Sequence, residues 1–145
     1  MGYKSDKIKD ANDIKSTIKR IAYQVYESYI EEKDIVIVGI GSQGKKLSVL
    51  LGESLSIIST LELTYVTLDI NKKKPLNSIK SNIPKEKLKN KSIVIVDDVL
   101  NTGSTLIYAV SYFLTIPVKQ IKTAVMVNRN HKKFPIKADF KGISL

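Results

Sequence analysis

Three observations predict an α/β domain built on a mostly parallel, twisted sheet with helices on both faces. Two short runs, IVIVGI at residues 35–40 and SIVIVDD at 92–98, are almost continuously β-branched and apolar, the pattern of strands buried on both faces. Segments with helical periodicity alternate with such runs along the chain. Each of the two runs also ends in glycine or acidic residues that open a new helical segment, and ligands of open parallel sheets bind at the carboxyl ends of strands.

The elements follow in order. Ile14, Ile18, Ile21, Ala22, Val25 and Tyr29 recur at helical spacing, with Asn12 as the expected N-cap and Asp13 favourable in the first turn. Tyr23, Tyr26 and Tyr29 share that helix, where tyrosines pack a core or a dimer face. After the run at 35–40, GSQG breaks the strand and leads to a helix with Leu47, Leu50, Leu51 and Leu55 on its apolar side. Residues 60–69 (TLELTYVTLD) read as a strand. Residues 70–91 are rich in lysine and asparagine, include Pro75 and Pro84, and show little periodicity, so a long mobile loop is expected there. The strand at 92–98 turns through VLNTGST into a helix expected to reach about residue 115, before Pro117. QIKTAVMV at 120–127 is a further strand, and a last apolar piece lies near Ile143.

Composition bounds the function. A chain of 145 residues fits one domain, expected to span 1–145. With 43% hydrophobic and 26% charged residues it belongs with globular rather than disordered chains. It has no cysteine and a single histidine, His131, which excludes thiolate chemistry, zinc–thiolate sites and multi-histidine metal sites. No apolar run is long enough for a membrane span, and the opening residues lack a signal-peptide core, so a cytoplasmic location is expected. The formal net charge of +10 points to an anionic partner, a phosphorylated small molecule, nucleic acid or a membrane surface, or else to a merely solvated lysine-rich surface.

The glycine loop fits several chemistries. Gly39, Gly41 and Gly44 spell the G-x-G-x-x-G of dinucleotide sites, with Glu62 near the distance of a ribose-binding acid. Gly39 to Lys45 also spell G-x-x-x-x-G-K, a phosphate-binding P-loop, but Lys46 stands where a Ser or Thr must hold Mg²⁺. A tight strand-to-helix turn without a ligand is the third reading. The two ligand readings share a backbone able to approach an anion at a helix N-terminus.

The segment IVIVDDVLNTGST discriminates further. Asp97 and Asp98 are adjacent carboxylates, costly side by side unless neutralised, and suited to a vicinal diol or to Mg²⁺. Asn101, Thr102, Gly103, Ser104 and Thr105 follow, a hydroxyl-rich turn opening a helix, which suits a phosphate. A diol and a phosphate one turn apart describe a ribose 5-phosphate.

This segment resembles the signature of type I phosphoribosyltransferases. With VGIGSQG at 38–44 and RNHKKFPIKADFKGISL at 129–145, the chain is most similar to the pyrimidine operon attenuator/uracil phosphoribosyltransferase (PyrR-like) branch. The resemblance implies an enzyme that binds phosphoribosyl diphosphate with Mg²⁺, transfers phosphoribose to a nucleobase, uracil before others, and releases pyrophosphate. Asp97 and Asp98 would contact the ribose hydroxyls directly or through Mg²⁺. Thr102, Gly103, Ser104 and Thr105 would hold the 5-phosphate, with Asn101 beside them. Gly41, Ser42, Gln43 and Gly44 would face the pyrophosphate, without the basic side chain usual in that loop. Residues 70–91 would be a hood over the reacting centre. Phe140, Lys141 and Gly142 would lie beside the base, the ring stacking and the backbone reading its edge. Asn101 stands where purine-type relatives carry a proton-accepting aspartate, and an amide cannot take that role. The resemblance also implies a homodimer or higher homo-oligomer. Its alternative function is a nucleotide-sensing, RNA-binding regulator of pyrimidine genes that uses the same pocket.

Overall fold

The structure is a computed structural model and describes residues 11–71, 73, 74, 76, 78–129 and 131–145. Helix α1 (Ala11–Ser28) precedes strand β1 (Asp34–Ile40), helix α2 (Gly41–Ile58) and strand β2 (Glu62–Asp69). The two-residue strand β3 (Lys80–Ser81), a 3-10 turn (Lys85–Leu88), strand β4 (Ser92–Leu100), helix α3 (Ser104–Phe113) and strands β5 (Gln120–Asn128) and β6 (Phe140–Ser144) complete the order. The six strands form one sheet in the order β3-β2-β1-β4-β5-β6. All neighbouring pairs are parallel except β2 with β3. None of the described helices is long and apolar enough to cross a membrane.

Alternation along the central strands sends side chains to two cores. Ile35, Ile37, Val94, Val96, Ala124 and Phe140 pack with α1 and α2 on one face. Val36, Val38, Ile93, Ile95 and Val125 pack with Leu106, Ala109 and Phe113 of α3 on the other. The continuous apolar runs of β1 and β4 are explained by this double coverage. The chain leaves β1 toward β2 and leaves β4 toward β5, so the order reverses between β1 and β4 and opens a crevice at their carboxyl ends.

Several expectations need correction. Asn12 lies inside α1 and is not its N-cap. The strand expected at 60–69 begins at Glu62, and α3 ends at Phe113. The strand expected to stop at Asp98 runs on to Leu100, so the acidic pair sits within β4. The 70–91 stretch is not a uniform loop, and Lys72, Pro75 and Asn77 within it lie outside the described residues. Ile70 and Leu88 are buried, and Ile79 and Ile83 pack against the α3-side core. Asn82 pairs with β2, its Oδ1 accepting from Thr67 N at 2.8 Å. Lys85 Nζ sits 4.6 Å from the Tyr112 ring centroid. These anchors are isolated residues, apolar and polar, at irregular spacing, so neither helical nor strand period reveals them. Of the three tyrosines of the first helical segment, Tyr29 is buried, Tyr26 half-buried against the core, and Tyr23 exposed.

Candidate active site

The glycines after β1 do two different jobs. Gly39 and Gly44 are packing residues: a Cβ on Gly39 would lie 2.5 Å from the Gly44 carbonyl oxygen. One on Gly44 would lie 3.1 Å from the Val96 carbonyl oxygen of β4. The start of α2 is thereby seated directly on β1 and β4. Gly41 alone has the left-handed φ, +67°, and open space around its Cβ position. Ser42 and Gln43 beside it are exposed, whereas Gly44 is buried. The cap position of α2, Ile40, supplies no side-chain hydrogen bond.

The second turn leaves β4, whose Val96 is paired with Gly39 of β1. Asp97 is buried at 3% exposure and Asp98 is half-buried. Asp97 Oδ1 accepts from Asp98 N at 2.9 Å, and Asp98 Oδ1 accepts from Val99 N at 2.8 Å. These bonds fix both carboxylates against their own backbone. Asp98 Oδ2 has no protein partner among the described residues.

Gly103 then takes φ +89°, at the cap of α3, and a Cβ there would overlap the Ile136 methyl group. It supplies no capping side chain. Thr102 Oγ1 accepts from Ser104 N at 3.2 Å, while Gly103 O begins the helix by accepting from Ile107 N at 2.9 Å. The first-turn N–H groups of Thr105 and Leu106 have no acceptor within the helix. Residues 97–106 line a cleft of about 290 Å³. Asn101 is exposed at its rim; Thr102, Ser104 and Thr105 are half-buried.

The segment between β5 and β6 returns across this turn and holds it. Thr102 O accepts from Lys133 N at 2.8 Å and from Phe134 N at 3.2 Å, and the Phe134 and Tyr108 ring centroids are 6.5 Å apart. None of this was legible in the sequence, because a polar loop that donates backbone N–H groups to a distant turn leaves no residue pattern. Asn128 was also missed. It ends β5 in register with Leu100 and Ser144, and its Oδ1 is buried without a hydrogen-bond partner. A lone asparagine at a strand end carries no pattern that marks it.

Phe140, Lys141 and Gly142 are not brought to this cleft. The Phe140 ring is 5% exposed and packs on Tyr29, with centroids 6.3 Å apart, in the core beneath α1 and α2. Lys141 is tied through its backbone to Gln24: its N–H donates to Oε1 and its carbonyl accepts from Nε2, both at 3.2 Å. Gly142 O accepts from Arg20 Nη1 at 3.1 Å. Ring and backbone there are occupied by α1, so the stacking and edge-reading roles find no support in this geometry. A larger open groove, about 660 Å³, lies around Tyr29, Glu32 and Lys119, but at the amino ends of the strands.

Two uncapped helix N-termini therefore open side by side at neighbouring strand ends, with an acidic pair beside them. Each helix end favours an anion by about 0.3–1 kcal/mol when exposed and up to ~2 when partly buried. Such a surface suits a sugar that carries phosphate at both ends, and comparison with known proteins gives the class: the protein is a phosphoribosyltransferase. The chain belongs to the phosphoribosyl transferase domain family, whose model matches residues 4–145, and within the type I enzymes it is PyrR-like. It is 32% identical over 145 residues to the bifunctional protein PyrR of Pediococcus pentosaceus, covering 93% of this chain and 82% of that one. It is 35% identical over 142 residues to the bifunctional protein PyrR of Fusobacterium nucleatum, covering 92% and 80%. Among solved structures, a hypoxanthine phosphoribosyltransferase from Staphylococcus aureus superposes with TM-score 0.77 at 20% identity, covering 92% of this chain and 74% of that one. A hypoxanthine-guanine phosphoribosyltransferase from Bacillus anthracis gives 0.75 at 17%, covering 91% and 77%. At these identities the structures bear on fold alone. The family match removes the dinucleotide and P-loop readings of the glycine loop.

Proposed function

We propose that this phosphoribosyltransferase binds phosphoribosyl diphosphate and transfers its phosphoribose to uracil, releasing pyrophosphate. The observation that carries this reading is the pair of open helix N-termini flanking Asp97 and Asp98. In this reading the α3 end, with Thr102, Gly103, Ser104 and Thr105, takes the 5-phosphate. Asp97 and Asp98 hold the ribose hydroxyls. The α2 end, at Gly41, Ser42 and Gln43, takes the pyrophosphate, with Gly44 as the glycine that seats the helix. Asn101 lies at the rim beside the phosphate.

Mg²⁺ fits this donor set as a ligand-borne ion. No cluster of three or more His, Cys, Asp or Glu that could cage a metal exists among the described residues. Two carboxylates are nonetheless what a Mg²⁺ held mainly by phosphate and water needs from a protein. Asp97 and Asp98 would hold it, and when bound it would neutralise charge on the departing pyrophosphate. The chain's own contribution is placement: it fixes sugar and leaving group against preformed donors while the bond to the anomeric carbon breaks and the bond to a base nitrogen forms.

The base belongs on the side of β4 away from β1, opposite the leaving group. The amide of Asn101, which cannot accept a proton as a carboxylate does, favours uracil over a purine.

A second reading is favoured by one observation. The net charge of +10 supports an additional role in binding RNA. Counterion release makes such binding fall steeply with salt, and it should survive loss of the carboxylates.

Incubation with phosphoribosyl diphosphate, Mg²⁺ and separate bases tests the enzyme reading. Pyrophosphate should appear with uracil, and Asp98→Asn should lower kcat/KM by about 10–100-fold while circular dichroism is unchanged. No pyrophosphate with any base, together with no thermal shift on adding the sugar diphosphate and Mg²⁺, would overturn it.

A further inference from the structure

The link between β5 and β6 is tied down at both ends. Arg129 N donates to Leu100 O at 2.8 Å, and Thr123 Oγ1 donates to Lys137 O at 2.5 Å. Asp139 secures the far end, its Oδ2 accepting from Thr123 N at 2.9 Å and its N–H donating to Thr123 O at 3.0 Å. Between these anchors Lys133 N and Phe134 N both donate to one acceptor, the Thr102 carbonyl oxygen. Two side chains seat the link there. The Phe134 ring meets Tyr108 of α3 edge-on, and Ile136 packs against the α3-side core. A methyl group of Ile136 fills the place that a Cβ on Gly103 would take. The cleft itself is lined by residues 97–106, and none of 131–137 is among them.

The doubly held carbonyl orients the rest of its peptide unit. None of the described peptide bonds is cis, and in a planar trans peptide the C=O and the following N–H point in opposite directions. With Thr102 O fixed toward the link, the Gly103 N–H is fixed away from it. That N–H has no protein acceptor among the described residues, and Gly103 lines the cleft. With the first-turn N–H groups of Thr105 and Leu106 it makes a set of free donors of the kind that receives phosphate oxygens. Glycine admits φ of either sign, so a peptide beside it swings easily and its direction needs a hold from outside the turn.

We propose that residues 131–137 are a positioning strap for the 5-phosphate turn, keeping the Gly103 N–H turned into the cleft. Lys133 and Phe134 act through their backbone N–H groups, and the side chains of Phe134 and Ile136 keep the strap seated. The role rests on the reading of the α3 end as the 5-phosphate site.

Calorimetric titration of the full chain with Mg²⁺ present separates the two helix ends, using ribose 5-phosphate as probe for the α3 end and pyrophosphate for the α2 end. Lys133→Pro removes the shorter of the two donors and should weaken ribose 5-phosphate by about tenfold or more, with pyrophosphate changed by less than about twofold. Lys133→Ala keeps the N–H and should bind ribose 5-phosphate within about twofold of the unmodified chain. Ile136→Ala should show the same selective loss, and Ile136→Val should recover most of it; this pair decides the matter if Lys133→Pro does not fold. Equal losses for both probes, Lys133→Ala as weak as Lys133→Pro, or Ile136→Ala as tight as the unmodified chain would each overturn the strap. An unmodified chain that binds pyrophosphate but not ribose 5-phosphate would instead overturn the assignment of the α3 end, and the strap's role with it.

Discussion

Tyr29 brings a hydroxyl into the core, 1% exposed, where it finds no hydrogen-bond partner. Burial pushes its phenol well above the ordinary tyrosine range, and the nearby Asp139 and Glu32 carboxylates add to the shift. An unpaired buried polar group is a net cost, so Tyr29→Phe should stabilise the fold by about 1 kcal/mol in denaturant titration at neutral pH. The sign at alkaline pH follows from linkage. The unfolded chain releases the phenolic proton near pH 10 while the folded chain retains it, so stability falls as pH rises through that range. The phenylalanine variant lacks that loss, and the gap between the two should widen above about pH 10. At this scale the sequence was legible where function is local in the chain. Asp97, Asp98 and the TGST three residues further on lie in one short segment, and the structure brings them to one cleft, as their order predicts. Phe140 was not legible, because a single aromatic in an apolar strand does not say which face of the sheet it occupies.

The glycine turn after β1 shows at the level of elements why one pattern matched several families. Gly39 and Gly44 are required wherever a helix starts almost in contact with the strand it leaves, whatever ligand is bound. Only Gly41, with its left-handed φ, carries a conformational demand at the open surface. Gly39→Ala would force a methyl group to within 2.6 Å of the Gly44 carbonyl carbon and should cost about 1–3 kcal/mol, read as a lowered Tm. The strands and helices themselves were legible to within a few residues, since their apolar periods are strong. The 70–91 stretch was misread for the opposite reason. Its structure is made by isolated contacts from Ile70, Asn82, Lys85 and Leu88, and none of them repeats.

Over the whole molecule, charge is distributed by function as well as by sum. At the amino ends of the strands Glu32 is held by Lys119 Nζ at 2.8 Å and accepts from Ser92 Oγ at 3.0 Å, while Lys91 is paired with Asp34. The bond from Lys119, then that from Ser92, hold the Glu32 carboxyl below the usual carboxylate range. A depressed folded-state value contributes stability above the ordinary carboxylate pKa and loses it as pH falls through the folded one. Glu32→Gln should therefore lower Tm at pH 7, and the difference from the parent chain should close on acidification below about pH 4. These pairs were invisible in the sequence, being 60 or more residues apart along it in the cases of Ser92 and Lys119. The last strand has a consequence of another kind. Its outer rim would otherwise present bare amide and carbonyl groups to any extended peptide, but Gln24 and Arg20 reach across from α1 and occupy them at Lys141 and Gly142. The first helix thereby acts as a guard rail: so long as it stays docked, molecules cannot zip together strand to strand along that side, and loosening it is the step that would expose the protein to fibril growth.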